Sequence, residues 1–157
     1  MSFYTRKSPR IPKYDYSSEN YYFITICTYH RKCLFGAPNV LNDLGQIAKN
    51  HILDIDKHYS NVSVDQYVIM PNHVHFILIL QEQGQANAEQ IVGQYKSGVT
   101  REVRKRIPNI RLWQRSFHDH VIRNQADYER IWTYIDNNPY RWAEDCFYVD
   151  QTDQTGW

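Results

Sequence analysis

The sequence has few cysteines and no apolar stretch long enough to cross a membrane. Its three cysteines, Cys27, Cys33 and Cys146, form no C-x-x-C pair, which is typical of reduced thiols in a cytosolic protein. The longest apolar run, 76–80, is far shorter than the roughly 20 residues that a transmembrane helix needs. The basic N-terminus precedes no apolar core, so we expect no secretory signal. The sequence therefore predicts a cytoplasmic protein with no membrane partner.

The sequence also lacks an excess of charge of either sign. Lys and Arg number 18 and Asp and Glu 17, which gives a formal net charge of +1 at pH 7. This balance argues neither for nor against a nucleic-acid partner, because local basic clusters can still bind phosphates. Two such clusters are present: Arg6, Lys7, Arg10 and Lys13; and Arg101, Arg104, Lys105 and Arg106. A loose tail and a solvated helix face would explain them equally well.

What the sequence does contain is the composition of an ordinary globular domain. Hydrophobic residues make up 42% and charged residues 22% of its 157 residues, which excludes a disordered chain. A chain of this length can bury a substantial core. We expect one domain over 1–157, with 1–19 as an N-terminal arm and 149–157 as a tail.

The periodicity of apolar residues predicts four strands and three helices. Asn39 is the expected N-cap of the first helix, and Pro139 is expected to disrupt the last one after Asn138. The strands are predicted at 21–29, 62–70, 73–80 and 112–122, and the helices at 40–58, 88–106 and 125–138. The first six elements follow the ferredoxin-like βαββαβ order. This order predicts an α+β fold with an antiparallel sheet, two helices on one face and the other face accessible.

The third predicted strand carries two histidines in the stretch "MPNHVHFILIL". His73 and His75 point to the same face because side chains two apart in a strand share a face. They could be a hydrogen-bonded core pair or two ligands of one metal ion, and an H-x-H pattern alone is a weak signal for a metal. Candidate third ligands are His118, Asp119, His120 and groups on the last helix. The opposite face is apolar, and its residues are Val74, Phe76, Leu78 and Leu80.

The last helix contains the stretch "TYIDNNP". Tyr134 and Asn138 are four residues apart and so lie on one helix face, beside its apolar stripe. Tyr134 could simply pack against the core, and Asn138 could cap the helix before Pro139. The residues alone do not choose between Tyr134 and Tyr95 as a functional tyrosine.

Four stretches together resemble a known family: "YVIMPNHVHFIL", "QYKSGVTREV", "LWQRSFHDHVIRN" and "YIDNNPYRWAED". In order and spacing they are similar to REP-associated tyrosine transposases, of the single-tyrosine HUH superfamily, from about 21 to 148. The resemblance implies that His73, His75 and Asn138 bind Mg²⁺ or Mn²⁺ and that Tyr134 is the nucleophile. It also implies a ferredoxin-like fold with a C-terminal catalytic helix, acting as a monomer or homodimer.

The same resemblance implies single-stranded DNA with a hairpin as the partner, cut through a 5′-phosphotyrosine intermediate. The basic helix could then hold the DNA backbone, and aromatic residues could stack on bases. The candidate backbone contacts are Lys96, Arg101, Arg104 and Lys105, and the candidate stacking residues are Tyr95, Trp113 and Phe117. Each of these residues could also be partly structural.

Two other functions fit the same residues. The first is a nucleic-acid-binding domain of the same fold that no longer cuts. The second is a zinc-dependent hydrolase with water as nucleophile, in which His73 and His75 are joined by His118 or His120. The second alternative leaves Tyr134 and Asn138 without a role.

Overall fold

The computed structural model describes residues 19–81, 86–145 and 147–148. The predicted arm and tail lie outside the described residues, except for Glu19, which begins the first strand. Within the described ranges no helix is long and apolar enough to cross a membrane.

The described chain forms the predicted alternation of long strands and helices, with an additional pair of short strands and a short helix. The strands are β1 (Glu19–Cys27), β2 (Gly36–Ala37), β3 (Val40–Leu41), β4 (Val62–Met70), β5 (His73–Gln81) and β6 (His118–Ile122). The α-helices are α1 (Asp43–Leu53), α2 (Ile55–His58), α3 (Ala88–Val103) and α4 (Gln125–Asn137). Two 3-10 segments, Tyr29–Arg31 and Asn138–Glu144, follow β1 and α4.

Four strands form one antiparallel sheet in the order β4-β5-β1-β6. The two central strands, β1 and β5, adjoin one another although α1, α2 and β4 separate them in sequence. This arrangement is the ferredoxin-like α+β fold, so the predicted fold class is confirmed. The short strands β2 and β3 pair separately, as a small hairpin before α1.

The first helix begins later than predicted, because Val40 and Leu41 pair with β2 in the hairpin. Asn39 has a positive φ of 64° and belongs to the hairpin turn, so it is not the N-cap. The N-cap is Asn42, whose side-chain oxygen accepts a hydrogen bond from the Gly45 amide at 2.9 Å. The helix is also broken at Asp54, between α1 and α2.

The fourth long strand is much shorter than predicted, because only 118–122 pairs with β1. Trp113 forms an isolated bridge with Thr28, and 114–117 form a loop. The Lys96 amine holds this loop by donating to the carbonyls of Gln114 and Ser116, at 3.0 and 2.9 Å. Helix α3 also ends three residues earlier than predicted, at Val103.

The two faces of the sheet pack against different helices. The apolar face of β5 is buried with residues of α1 and α3, as predicted. On the other face, Ile77 and Ile79 are buried with residues of α4: Tyr128, Ile131 and Ile135. Each such burial contributes about 1.5–3 kcal/mol. The prediction that this second face is accessible was therefore wrong: α4 packs on it, and His73 and His75 at its end are 0% and 2% exposed.

Candidate metal centre and active site

The two histidines lie at the beginning of the central strand β5. His73 is opposite Cys27, and His75 is opposite Thr25 on the neighbouring strand β1. Their ring centroids are 4.5 Å apart, as expected for side chains two residues apart on one face. Because β5 is hydrogen-bonded on both sides, the backbone beneath the two rings is fixed.

Hydrogen bonds at Nδ1 orient both imidazoles. The Asn72 amide nitrogen donates to the carbonyls of Phe147 and Arg31, at 2.8 and 3.2 Å. Its oxygen is therefore the acceptor for His73 Nδ1 at 2.8 Å, which leaves the lone pair of His73 on Nε2. His75 Nδ1 lies 2.8 Å from the Thr25 hydroxyl. Hydrogen bonds of this kind fix the tautomer and orientation of metal-binding histidines.

Both histidines are in the neutral state that metal ligation requires. Burial lowers the pKa of His73 to about 4, although the nearby Asp145 carboxylate acts in the opposite direction. Burial, together with the neighbouring His73, holds the pKa of His75 well below its ordinary value. These low pKa values favour the uncharged form of both rings at pH 7, and the Nε2 lone pair of His73 is available to a cation.

Asn138 lies beside the histidines at the end of α4. Its side-chain nitrogen donates to Asp145 Oδ2 at 2.9 Å. Among the residues that the structure describes, three buried atoms of this group have no hydrogen-bond partner: His73 Nε2, His75 Nε2 and Asn138 Oδ1. Burying a polar atom without a partner costs about 1–3 kcal/mol, and a divalent cation bound at this group would offset part of that cost. The donor set, two imidazoles and an amide oxygen, therefore fits a metal ion.

Asp145 is a fourth candidate ligand that the sequence analysis missed. Ligand atoms of His73, His75 and Asp145 all lie within 4.8 Å of one another, so the three residues could hold a metal ion. The Asp145 side chain is fully buried, and its Oδ2 lies 3.7 Å from His73 Nε2. It directly follows the 3-10 segment Asn138–Glu144, where α-helical spacing no longer predicts which residues share a face. The available signal was its place as the last residue of "YIDNNPYRWAED".

Tyr134 lies at the edge of this cluster and is 40% exposed. Its ring centroid is 5.4 Å from that of His75 and 6.2 Å from that of Phe23. The histidine and Phe23 rings limit its movement on the inner side, while the exposed part faces a groove of about 660 Å³ along α4. We call this the α4 groove. It is lined by Ala126, Glu129, Arg130, Thr133, Tyr134, Asn137, Asn138, Arg141, Glu144 and Asp145.

The structure gives Tyr95 a different environment from the one predicted. Its ring is buried in the core on the α3 side of the sheet, between Phe76 and Trp113. Its hydroxyl donates to the Ala48 carbonyl at 2.9 Å, and burial raises the pKa of that hydroxyl. Neither face of the ring is accessible for stacking by a DNA base, so Tyr95 is a core residue. Of the two tyrosines, Tyr134 is therefore the one that lies beside the histidines.

The four predicted DNA-backbone contacts belong to α3 and its end, on the opposite side of the sheet from the histidines. Two of these side chains already donate hydrogen bonds to backbone carbonyls. Lys96 donates to the carbonyls of Gln114 and Ser116, and the Arg104 guanidinium donates to the Ile110 carbonyl at 2.9 and 3.2 Å. Burial lowers the pKa of Lys96. Arg101 and Lys105 are exposed. Trp113 and Phe117 are half-buried against the α3-side core.

The histidines of the alternative zinc site do not join His73 and His75. His118 and His120 belong to β6, and His120 Nε2 is 2.8 Å from the buried Asp127 carboxylate. Within the described ranges, the group of His, Cys, Asp and Glu side chains close enough to hold a metal is the one containing Asp145.

Comparisons with known proteins agree with this fold. Residues 15–138 match the family described as "Transposase IS200 like". The chain is 38% identical to an uncharacterised protein of Haemophilus influenzae over 169 positions, which cover 92% of this chain and 94% of that protein. The family match takes in all of β1 to α4 and ends at Asn138, so Asp145 lies beyond it.

Two solved structures share the fold. A REP-associated tyrosine transposase bound to a REP hairpin has a TM-score of 0.59 and 21% identity, over 85% of this chain and 73% of that one. A candidate transposase from Deinococcus radiodurans R1 has a TM-score of 0.55 and 18% identity, over 83% and 97%. At these identities the likeness concerns the fold, whereas the family match concerns the sequence of most of the chain. The chain belongs to the family of IS200-like transposases.

Proposed function

We propose that this protein cuts and rejoins single-stranded DNA beside hairpins, with Tyr134 as the nucleophile. The observation that carries the proposal is the cluster of His73 Nε2, His75 Nε2 and Asn138 Oδ1, all buried without a partner among the described residues. Tyr134 lies at the exposed edge of that cluster, against the His75 ring. A nucleophile beside a preformed cation site is the arrangement that phosphoryl transfer needs.

His73, His75 and Asn138 would hold a divalent ion, and Asp145 is placed to add a negative charge to the set. A bound divalent ion polarises a phosphate and stabilises the oxygen that leaves it. Imidazole nitrogens suit Mn²⁺ and Zn²⁺, whereas amide and carboxylate oxygens suit Mg²⁺ and Mn²⁺. We propose Mn²⁺ or Mg²⁺, since the oxygen ligands include a carboxylate.

The reaction assigned to Tyr134 exchanges one phosphoester for another. Its hydroxyl oxygen bonds to the phosphorus, the bond from phosphorus to the 3′ oxygen breaks, and the 5′ phosphate remains on the tyrosine. The phenol loses its proton to the medium, and the 3′ oxygen takes one up. A phenol with a reference pKa near ~10 is a weak nucleophile at pH 7, so positioning by the His75 and Phe23 rings is part of catalysis. A later 3′-hydroxyl can reverse the step and join strands.

The proposed partner is single-stranded DNA carrying a hairpin. One protein of the same fold, the REP-associated transposase, is described as bound to a REP hairpin. On this chain the exposed Arg101 and Lys105 are the remaining candidates for phosphate contacts on the α3 side. Lys96 and Arg104 already bind carbonyl oxygens and so would contribute less.

The test is a covalent DNA–protein adduct. The protein is incubated with Mn²⁺ and a labelled oligonucleotide in which single strands flank a hairpin, and a denaturing gel separates the adduct. We expect the wild-type protein to form it, and Tyr134→Phe to lower its yield by at least about 10³-fold, since the nucleophile is lost. Tyr140→Phe is the matched control, because Tyr140 follows the same helix and is 79% exposed.

Each outcome separates the candidate functions. An adduct that survives in Tyr134→Phe would assign the nucleophile to another residue. Cleavage without an adduct in both proteins would indicate a hydrolase. Hairpin binding without cleavage in any metal would favour the non-cutting binding domain.

A further inference from the structure

The α4 groove contains a basic side chain one helical turn before the proposed nucleophile. Arg130, Tyr134 and Asn138 are four residues apart in succession, so they lie along one face of α4. At 1.5 Å per residue, Arg130 precedes Tyr134 by about 6 Å along the helix axis. All three residues line the groove. The groove therefore offers in one row a cation, a hydroxyl nucleophile and a metal ligand.

Arg130 is held at the groove by a buried carboxylate. Its Nη2 lies 2.6 Å from Asp127 Oδ1, and the other oxygen of Asp127 lies 2.8 Å from His120 Nε2. The Asp127 side chain is 2% exposed, whereas that of Arg130 is 58% exposed. Most ion pairs at the surface are weak because both side chains move freely. Here one partner is fixed in the interior by β6 and the first turn of α4, so the guanidinium has a defined position beside solvent.

We propose that Arg130 binds the DNA phosphate adjacent to the one that Tyr134 attacks. A strand that presents one phosphate to Tyr134 must carry its neighbouring phosphates along the groove. An arginine is suited to a phosphate because its planar fork can donate two parallel hydrogen bonds. The other arginine of the groove, Arg141, pairs at 3.2 Å with Glu144, whose side chain is itself exposed and free to move. The guanidinium of Arg130 is therefore the more firmly positioned of the two. This inference rests on the proposed function, which brings the DNA strand to Tyr134.

The first test measures phosphate binding without cleavage. Binding of a fluorescent deoxythymidylate oligonucleotide is titrated in EDTA at several salt concentrations, for wild type, Arg130→Gln and Arg130→Lys. Losing one contact to a single strand reduces the slope of log K against log salt by about 0.7. We expect that reduction for Arg130→Gln and a slope near wild type for Arg130→Lys. The matched control is Arg123→Gln, since Arg123 is exposed and does not line the α4 groove.

The inference is overturned if Arg130→Gln keeps the wild-type slope, if Arg123→Gln reduces it equally, or if the wild-type protein does not bind. Arg130→Ala gives a second neutral variant if the glutamine variant does not fold, and its slope decides in the same way. A different result is that the expected slopes are found while the wild-type protein forms no adduct with Mn²⁺. That result would contradict the proposed cleavage but would still support the phosphate contact of Arg130.

A second test places the phosphate. Single methylphosphonate linkages, which carry no charge, replace each phosphate near the cut in the hairpin substrate. We expect one linkage adjacent to the cut to slow adduct formation by the wild-type protein but to have no further effect on Arg130→Gln. Equal slowing of both proteins at every position would contradict the assignment.

Discussion

At the scale of single residues, the site depends on hydrogen bonds that the sequence pattern could not reveal. The H-x-H spacing predicts that His73 and His75 share a face, and the structure agrees. The sequence does not predict that Asn72 holds the tautomer of His73, because its amide is fixed by carbonyls of residues 31 and 147. Asp145 was missed for the same reason: its approach depends on the path of the chain after α4.

Asp145 provides a prediction at this scale. It approaches His73 and orients the Asn138 amide through Asn138 Nδ2, and groups with such a role typically contribute 10–100-fold to metal affinity. We expect Asp145→Asn to weaken Mn²⁺ binding by at least about tenfold, measured by isothermal titration calorimetry. The control is Glu144→Gln, which removes the neighbouring exposed carboxylate. Equal affinities for Asp145→Asn and the wild-type protein would remove Asp145 from the site.

At the scale of elements, the predicted boundaries of helices and strands are wrong where apolar residues continue past the end of the element in the structure. Val40 and Leu41 extend the helical spacing of α1 backwards, yet they form a strand because the turn at Pro38 and Asn39 pairs them with β2. Gly36 has a φ of 104°, and a Cβ there would lie 2.5 Å from the Val40 carbonyl oxygen. Leu112 and Trp113 extend β6 in the same way, although they lie in the segment that precedes it, where Leu112 is buried and Trp113 half-buried. Tertiary contacts decide both boundaries, whereas the β4 and α4 starts follow from local sequence.

The position of the first helix cap can be tested. Asn42→Ala removes the side-chain oxygen that accepts from the Gly45 amide and the side-chain nitrogen that donates to the Leu34 carbonyl, so we expect the free energy of unfolding to fall by at least about 1 kcal/mol. Urea denaturation measures this change. Asn39→Gly is the matched control, and glycine suits the positive φ of that position. If Asn39→Gly lowered the free energy of unfolding more than Asn42→Ala, the N-cap would have to be assigned to Asn39.

At the scale of the whole molecule, the sheet separates two surfaces. The face of His73 and His75 is covered by α4 and carries the proposed chemistry, while α3 and its exposed cations lie on the opposite face. The sequence predicted the order of the long strands and helices and the ferredoxin-like fold correctly, because strand and helix periodicities are local. It did not predict that α4 closes the second face, since the amphipathic stripe of α4 does not specify which surface it packs on.

This separation predicts that DNA binding and metal binding can be changed independently. The double variant Arg101→Gln/Lys105→Gln removes two exposed charges of the α3 side. We expect the slope of log K against log salt for a hairpin duplex to fall by roughly 1.8, about 0.9 for each lost contact. The Mn²⁺ affinity of the same variant should equal that of the wild-type protein. An unchanged slope would place the hairpin elsewhere, and a weakened Mn²⁺ affinity would show that the two faces are coupled.

The Asn72 amide has a consequence for the order in which the site can be completed during synthesis. It bonds to carbonyls of Arg31 and Phe147, which are 41 and 75 positions away in the chain. During translation, both histidines are synthesised long before Asn138, Asp145 and Phe147. A nascent chain that ends at Asn137, the last residue of α4, therefore has the imidazoles and the tyrosine but neither the proposed oxygen ligands nor the complete support of His73. The cutting activity that we propose would begin only when the last segment has folded onto the sheet, so a prematurely terminated product would leave the cell's DNA uncut.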